Sequence, residues 1–266
     1  MLDTAAVLAA YDTQIRQSLE PPVGGWLVKR VGPVVRAMPP PASGHGGFIG
    51  YTDLDESRAD AVIAEQVEFF RADGRRAEWK VYGHDRPADL PERLLSAGLE
   101  PEDREALVVG EIEGVLAALA ERRTLSGVVV READIEADLA GIVALHEAVW
   151  GNDEGWMGHE LAEEKAHDPA GLHIFVAADE PSGEIVSAAW LRVVRGTDFA
   201  GLWGGSTLEA YRGRGVYKAL VDVRATLARD LGYRYVQVDA SPDSEPILRR
   251  LGLELLTWTQ PYVWKP

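Results

Sequence analysis

The chain has 266 residues, long enough for one large or two modest domains at about 150 residues per domain. Its net charge of -16 argues against nucleic acids and anionic membranes as partners, and the absence of cysteine excludes disulfides, thiolate metal sites and a cysteine nucleophile. No apolar run reaches the ~18 residues of a membrane span and the amino terminus does not resemble a secretory signal, so a cytoplasmic location is expected.

The N-terminal half has few strong local signals. A helix-like segment runs over Val115 to Ala120, and a new strand pattern begins at Val128. We therefore predict a domain boundary near residues 123 to 127, which gives domains of residues 1–125 and 126–266.

The C-terminal half begins with a strand at Val128 to Arg131. The helix that follows carries apolar residues on one side, at Ile135, Leu139, Ile142, Leu145 and Val149. Three further strands are predicted, at Leu172 to Ala178, Ile185 to Val194 and Phe199 to Thr207.

A glycine-rich turn separates the last of these strands from a second amphipathic helix. Its predicted buried face consists of Val216, Leu220, Val223, Leu227 and Leu231, and Gly232 ends it. The remaining predicted elements are a strand at Tyr235 to Asp239, a short helix at Ile247 to Leu251 and a strand at Leu253 to Val263. The predicted fold class is α/β.

An internal repeat appears when the chain is compared with itself at an offset of 158 residues. Gly46-Gly47 aligns with Gly204-Gly205, and a strand at Ala77 to Tyr82 aligns with Tyr235 to Ala240. Both copies end in the triplet Gly-Leu-Glu. The agreement in order, spacing and residue type predicts a duplicated domain.

The two copies differ at the segment Thr52 to Ser57, which lies opposite Ala210 to Gly215. The N-terminal segment is acidic and has no glycine, so an anion would be repelled there. We expect this half to bind no phosphate cofactor and to serve as structure or as a wall of the substrate cleft.

The glycine-rich turn of the C-terminal half is a candidate anion site, because backbone N–H groups converge at a strand-to-helix turn where the helix dipole is positive. Gly213 and Gly215 permit the turn. Six basic and two acidic residues between Tyr211 and Arg234 give a local charge of +4. The alternative is a basic, solvated helix after an ordinary turn.

This turn resembles the acetyl-CoA motif of the GNAT superfamily of N-acetyltransferases, Arg/Gln-x-x-Gly-x-Gly/Ala, with Arg212 and Gly215 at the matching positions and Tyr217 in place of the last small residue. The resemblance implies two GNAT-like domains, each a mixed, mostly antiparallel sheet flanked by helices, of which the C-terminal one is complete and the N-terminal one degenerate. It implies acetyl-CoA as co-substrate. The cofactor-binding residues it implies are Thr207, Leu208, Glu209, Arg212, Gly213, Arg214, Gly215, Val216, Tyr217, Lys218 and Ser244.

The catalytic groups are less defined by the resemblance. Glu209 is a candidate general base toward the amine, or else a solvated loop residue. Many members protonate the leaving thiolate from a tyrosine where this chain has Leu248, and an asparagine is replaced by Ser241. The proton is then expected from Ser241, Ser244, Tyr262 or water.

The acceptor is expected near the segment His146 to Trp156, because family members place it between the first two helices and the sheet. Glu147, Trp150 and Trp156 are the candidate substrate residues, suited to a small cationic amine. The alternative for the two tryptophans is a place in the core. The six histidines show no metal-binding spacing, so no metal is expected.

The sequence thus predicts transfer of an acetyl group from acetyl-CoA to a primary amine by direct attack. The alternatives are a non-catalytic acyl-CoA sensor or interaction module, which the exchanges at Leu248 and Ser241 favour, and a purely structural pair of α/β domains. A monomer and a homodimer are both compatible with the residues.

Overall fold

The computed structural model describes residues 2–18, 26–40, 46–120, 125–151 and 155–266. The strands within these ranges are β1 Leu27–Val31, β2 Val34–Met38, β3 Gly47–Thr52, β4 Ala77–Tyr82, β5 Glu100–Pro101, β6 Glu105–Glu111, β7 Val128–Glu132, β8 Leu172–Asp179, β9 Ile185–Val193, β10 Phe199–Thr207, β11 Tyr235–Ala240 and β12 Glu254–Trp264. The helices are α1 Thr4–Tyr11, α2 Ala59–Asp73, α3 Leu90–Ser96, α4 Ile112–Leu119, α5 Ile135–Trp150, α6 Gly155–His167, α7 Val216–Asp230 and α8 Glu245–Arg250.

The α/β class is confirmed, and the predicted elements of the C-terminal half are present with ends shifted by a few residues. The predicted burial of Leu231 was wrong. This residue caps the C-terminus of α7 and is 48% exposed, because the helix ends at Asp230 and the chain turns away at Gly232. In the described ranges no helix is long and apolar enough to cross a membrane.

The chain packs as two units. The first consists of Met1–Val108, Asp239–Arg249 and Glu254–Pro266, and the second of Val109–Val238 and Arg250–Leu253. The last strand of the chain, β12, therefore belongs to the unit built mainly by the N-terminal half, where it pairs antiparallel with β4 from Thr259 opposite Tyr82 to Trp264 opposite Ala77. The boundary at residues 125/126 describes the two sequence copies and stays a prediction.

The first unit has its strands in the order β1-β2-β3-β4-β12, antiparallel except for the parallel pair of β3 and β4. Its core lies between these strands and helices α2 and α3, with Ile63, Phe70, Trp79 and Leu94 at most 2% exposed. Helix α2 ends at Gly74, whose φ of 73° is the left-handed conformation that glycine adopts without strain.

The second unit has its strands in the order β7-β8-β9-β10-β11, antiparallel except for the parallel pair of β10 and β11. Helices α5 and α6 pack on one face of this sheet against Ile174, Val176 and Trp190. Helix α7 covers the other face, where Val216 and Leu220 pack on side chains of β7, β8 and β9. Helices α5 and α7 thus bury most of the apolar stripe that their spacing predicts.

The same local arrangement occurs in each unit: two parallel strands pair over three residues and then separate while both continue. The pairs run from Gly47 opposite Ala77 to Ile49 opposite Trp79, and from Phe199 opposite Tyr235 to Gly201 opposite Gln237. We call the openings beyond these pairs the N-terminal and the C-terminal strand gap.

The pairing of the parallel strands corrects one part of the predicted alignment between the two sequence copies. Glu78 and Val236 differ by 158 in number, but their partners Phe48 and Ala200 differ by only 152. The alignment of Gly46-Gly47 with Gly204-Gly205 was therefore wrong, because the N-terminal copy has a shorter connection between its strand and its helix. No residue of β3 matches the end of β10 at Thr207.

The N-terminal strand gap is filled by the side chain of Arg16, which lies in a π-helical turn after α1. Arg16 is 2% exposed, its Nε donates to the carbonyl of Gly50 on β3, and its guanidinium lies 3.7 Å from the ring centroid of Tyr82 on β4. Two further hydrogen bonds of 2.8 and 3.0 Å reach both carboxylate oxygens of Asp85. The chain itself thus occupies the opening of this unit.

Candidate cofactor and acceptor site

The connection between β10 and α7 forms a turn with two glycines in the left-handed conformation. A 3-10 turn over Glu209–Tyr211 follows β10, and Gly213 and Gly215 then adopt φ values of 71° and 91°. Helix α7 begins directly after Gly215, and no described side chain caps its N-terminus. The turn therefore aims backbone N–H groups outward at the positive end of the helix dipole.

These N–H groups have no partner in the described parts of the chain. None of the backbone N–H groups of residues 213 to 218 donates a well-formed hydrogen bond to another group there. Six consecutive donors at the start of a 15-residue helix are a favourable place for phosphate oxygens.

Three basic side chains beside this turn remain available to an anion. Arg212, Arg214 and Lys218 are exposed, and none of them pairs with a carboxylate among the described residues. The Nε of Arg212 donates to the carbonyl of Thr207, which fixes the arginine at the end of β10 and leaves its terminal nitrogens open. The guanidinium of Arg214 lies 4.5 Å from the ring centroid of Tyr211.

The other basic residues counted in the sequence serve elsewhere. Arg229 pairs with Asp230 and Arg234 with Glu111, at 2.9 and 3.0 Å. Arg224 is 2% exposed and lies under the sheet. The local excess of positive charge at the turn is thus carried by three residues rather than six.

The end of β10 is held by buried hydroxyl groups. Ser187 on β9 donates to the carbonyl of Ser206 at 2.6 Å, and its oxygen lies 2.7 Å from the hydroxyl of Thr207. The N–H of Leu208 donates to the carbonyl of Val186. Thr207 and Leu208 are therefore fixed at the point where β10 meets the turn.

Tyr217, which replaces a small residue of the motif, turns its ring toward β10. A side-chain carbon at Gly205 would lie 3.1 Å from this ring, so glycine is what allows the tyrosine to lie there. Burial raises the pKa of the Tyr217 hydroxyl. The ring of Tyr217 therefore points away from the N–H groups of the turn. The replacement of a small residue by tyrosine leaves these hydrogen-bond donors in place.

A β-bulge interrupts β10 beside the C-terminal strand gap. The register with β9 shifts between Trp203 and Ser206, and Gly204 within it has a φ of 82°. Arg224 on α7 donates to the carbonyls of Trp190 and Trp203 at 3.2 and 3.1 Å, so it satisfies backbone groups beside the bulge. Burial lowers the pKa of Arg224 to about 10. In the sequence, Arg224 is one of the six basic residues counted around the turn.

On the α5 face of the sheet, three side chains form a chain of polar contacts. The indole Nε1 of Trp150 donates to the hydroxyl of Ser206 at 2.9 Å, and this hydroxyl lies 3.4 Å from Nδ1 of His146. The imidazole packs against Trp190 with 5.5 Å between ring centroids. Burial lowers the pKa of His146 to about 4, so the ring is neutral at pH 7. Sequence reasoning named Trp150 but neither Ser206 nor His146 as a polar group of the site.

The predicted substrate residues are exposed on α5 and α6. Trp150 and Trp156 are 56% and 61% exposed, which favours a ligand surface over a place in the core. Glu147 is exposed on α5. Asp153 and Glu154, two acidic residues of the predicted acceptor segment, lie outside the described residues.

The predicted catalytic residues occupy two places. Glu209 is exposed in the 3-10 turn of the second unit. Ser241 and Ser244 belong to the first unit and lie 3.2 Å apart at their hydroxyl oxygens. Tyr262 lies in the core of the first unit, 3% exposed, and its hydroxyl donates to Gln260 at 3.3 Å. Their catalytic roles, like the cofactor contact of Ser244, stay predictions.

A family model described as the acetyltransferase (GNAT) family matches residues 139–252, which include most of α5, the C-terminal strand gap, the glycine-rich turn and α7. The chain carries a GNAT-family acetyltransferase domain. This confirms the resemblance of the C-terminal half, and the degenerate N-terminal copy stays a prediction. A search of curated proteins gave no match.

Solved structures share the fold of this chain over nearly its whole length. A GCN5-related N-acetyltransferase from Kribbella flavida has 16% identity and a TM-score of 0.69, covering 99% of this chain and 96% of that one. A functionally unknown conserved protein from Staphylococcus epidermidis has 11% identity and a TM-score of 0.67, covering 94% and 97%. A tandem GNAT protein from the clavulanic acid biosynthesis pathway has 14% identity and a TM-score of 0.62, covering 91% and 84%. At these identities the likeness extends to the fold alone.

Among the described residues, no group of three or more histidine or acidic side chains is placed to hold a metal ion. The polar groups near the turn are instead N–H donors and cations. Such a site suits an anionic ligand rather than a cation.

Proposed function

We propose that this chain is an acetyl-CoA-dependent N-acetyltransferase that acetylates a primary amine of a small molecule. The amine attacks the thioester carbonyl directly, the carbon–sulfur bond breaks, and coenzyme A leaves as thiol after the amine nitrogen loses a proton. Positioning of the two substrates supplies most of the rate enhancement. Glu209 or water takes the proton, and water protonates the sulfur. A cytoplasmic location belongs to the same proposal.

The observation that carries the proposal is the row of unpartnered N–H groups at residues 213 to 218, flanked by Arg212, Arg214 and Lys218. Diphosphate and 3'-phosphate groups of coenzyme A are anions of the kind such a turn binds. The fixed end of β10 at Thr207 and Leu208 lies next to it and offers backbone groups to the rest of the cofactor.

One cofactor site per chain is part of the proposal. In the first unit the connection before α2 contains Asp53 and Asp55, and Asp55 accepts hydrogen bonds from the N–H groups of Ser57 and Arg58. These are the donors that an anion would need. Arg16 also fills the strand gap of that unit, which supports a structural role for the N-terminal half.

Calorimetry with acetyl-CoA tests the cofactor site. The double variant Arg214→Gln/Lys218→Gln should bind acetyl-CoA about 10-fold to 100-fold more weakly, because each lost charge-assisted contact at an exposed site is worth roughly 1 kcal/mol. Arg229→Gln, which makes the same change at the far end of α7, is the matched control and should bind like the wild type. Equal affinities in all three proteins would refute the proposed site.

Thiol release in the presence of amines tests the reaction. Purified protein is mixed with acetyl-CoA and aminoglycosides, polyamines, amino acids or arylalkylamines, and the products are checked for the acetyl group by mass spectrometry. Binding of acetyl-CoA without turnover on any amine would favour the second candidate, a non-catalytic acyl-CoA sensor. The buried Leu248, at 0% exposure where relatives protonate the thiolate, favours that candidate.

A further inference from the structure

Tyr211 lies directly before the glycine-rich turn, and Arg214 rests on its ring. The guanidinium of Arg214 is 4.5 Å from the centroid of the ring, and one of its terminal nitrogens donates to the carbonyl of Ser126 at 3.3 Å. The Nε and the other terminal nitrogen of Arg214 have no hydrogen-bond partner among the described residues. The ring therefore covers one face of the guanidinium, while N–H groups at its edge stay open to an anion.

The ring of Tyr211 is itself held from two sides. It packs against a buried apolar cluster of the second unit that includes Val128, Val186 and Val216. Its hydroxyl donates to Oδ1 of Asp179, at the end of β8, at 2.9 Å. The position of the ring is thus determined by the core of the unit and by a carboxylate.

Asp179 is fixed by the connection between β8 and β9. Its Oδ2 accepts hydrogen bonds from the hydroxyl and the N–H of Ser182, at 2.7 and 3.2 Å. Hydrogen bonds from Ser182 and Tyr211 hold the pKa of Asp179 below its ordinary value, so this carboxylate is charged at neutral pH. A continuous chain of contacts therefore runs from Ser182 through Asp179 and Tyr211 to Arg214.

Lys218 lies beside the same turn without such support. It is exposed like Arg214, but it makes no hydrogen bond or ion pair with the described residues. An anion that binds Lys218 must order a flexible side chain, which costs conformational entropy. Much of this ordering is already present in Arg214, because its planar guanidinium is stacked and tethered before any ligand binds.

We propose that Tyr211, anchored by Asp179, is a positioning residue that holds the guanidinium of Arg214 ready for a phosphate group of coenzyme A. The inference rests on the proposed function for the identity of the anion. Tyr211 acts through Arg214 and takes no part in acyl transfer. Arg214 should accordingly contribute more to the affinity for acetyl-CoA than Lys218 does.

A double-mutant cycle between Tyr211 and Arg214 tests the inference, with the Kd for acetyl-CoA measured by calorimetry. Tyr211→Leu should weaken binding about 5-fold and Arg214→Gln about 10-fold, whereas Tyr211→Phe, which keeps the ring and loses the anchor, should cost only about 2-fold. The double variant Tyr211→Leu/Arg214→Gln should bind like Arg214→Gln alone, because the tyrosine has no other route to the ligand.

Two further variants separate this effect from a general weakening of the protein. Lys218→Gln should cost about 3-fold, and its loss should add to that of Tyr211→Leu. Tyr51→Leu is the matched control, because Tyr51 lies 5.4 Å from the guanidinium of Arg30 in the first unit, away from the turn. It should bind acetyl-CoA like the wild type.

Nuclear magnetic resonance follows Arg214 in the protein without cofactor. The ring current of Tyr211 should move the δ-methylene protons of Arg214 upfield, and this shift should persist in Tyr211→Phe and disappear in Tyr211→Leu. Addition of acetyl-CoA to the wild type should then change the Nε resonance of Arg214.

Losses that add between Tyr211→Leu and Arg214→Gln overturn the positioning role and leave the cofactor proposal intact. An Arg214 methylene without an upfield shift in the free wild type overturns the positioning role as well. A wild type that does not bind acetyl-CoA overturns both. Coupled losses together with the upfield shift support the inference even where no amine is acetylated, and if Tyr211→Leu fails to fold, the cycle is run with Tyr211→Phe.

Discussion

Replacement of Arg16 by methionine should destabilise the first unit more than any surface substitution. Burial opposes the charge of Arg16, but the combined interactions with Asp85, Tyr82 and Asp12 outweigh burial and raise the pKa of the guanidinium. Both side chains are nearly inaccessible, at 2% and 3% exposure. Methionine fills much of the volume but leaves Asp85 without its cation.

The magnitude follows from this uncompensated charge. Removal of one partner of a buried ion pair costs about 3–5 kcal/mol, and the stacking of Arg16 on Tyr82 at 3.7 Å is lost in addition. At this chain length the loss corresponds to a fall in Tm of roughly 10–15 °C. The double variant Arg16→Met/Asp85→Asn should recover about half of it, because the asparagine oxygen still accepts from the Tyr82 N–H and carries no charge.

Urea unfolding followed by circular dichroism measures these differences, with the transition of each unit fitted separately. The control is Arg71→Met, since Arg71 and Glu68 form a surface pair with 61% and 69% exposure, and its removal should cost less than ~1 kcal/mol. If Arg16→Met were as mild as Arg71→Met, the reasoning from an uncompensated buried carboxylate would be refuted.

Three further predictions concern the second unit and the cofactor. The folded pKa of His146, about 4, lies below its ordinary value of 6.5, so the unfolded chain binds the extra proton and stability should fall by ~3 kcal/mol as the pH drops from about 6.5 to 4. Unfolding curves at several pH values should show a shallower decline in His146→Asn, and an unchanged decline would contradict this cause. Gly204→Ala should lose more stability than Gly183→Ala, because both glycines have positive φ but only at Gly204 would the new carbon meet the ring of Trp190. Equal losses in thermal melts would show that the clash is relieved. Native mass spectrometry with acetyl-CoA should detect one cofactor per chain, and a second bound molecule would contradict the occupied N-terminal gap.

The local elements of the C-terminal half were predictable from the sequence because each has a strong pattern. The apolar stripe of α7 and the glycines at 213 and 215 depend on residues close together in the chain, and the structure bears out both the helix and the turn. The N-terminal elements α1, β1 and β2 were not predicted, since α1 has hardly any amphipathic pattern and β1 is largely exposed. Helix α6 also escaped prediction because its small and charged residues give only a weak apolar periodicity.

The sequence by itself determined the α/β class, the family of the C-terminal domain and the glycine-arginine turn, because glycine conformation and helix dipole act over a few residues. Only the tertiary structure decided that β12 pairs with β4, that Arg16 fills the strand gap of the first unit and that Arg224 lies under the bulge instead of beside a phosphate. It also brought His146 within 3.4 Å of Ser206, a residue 60 positions away. Such contacts depend on packing between distant segments, where burial and donor–acceptor matching select the partner and no local pattern records the choice.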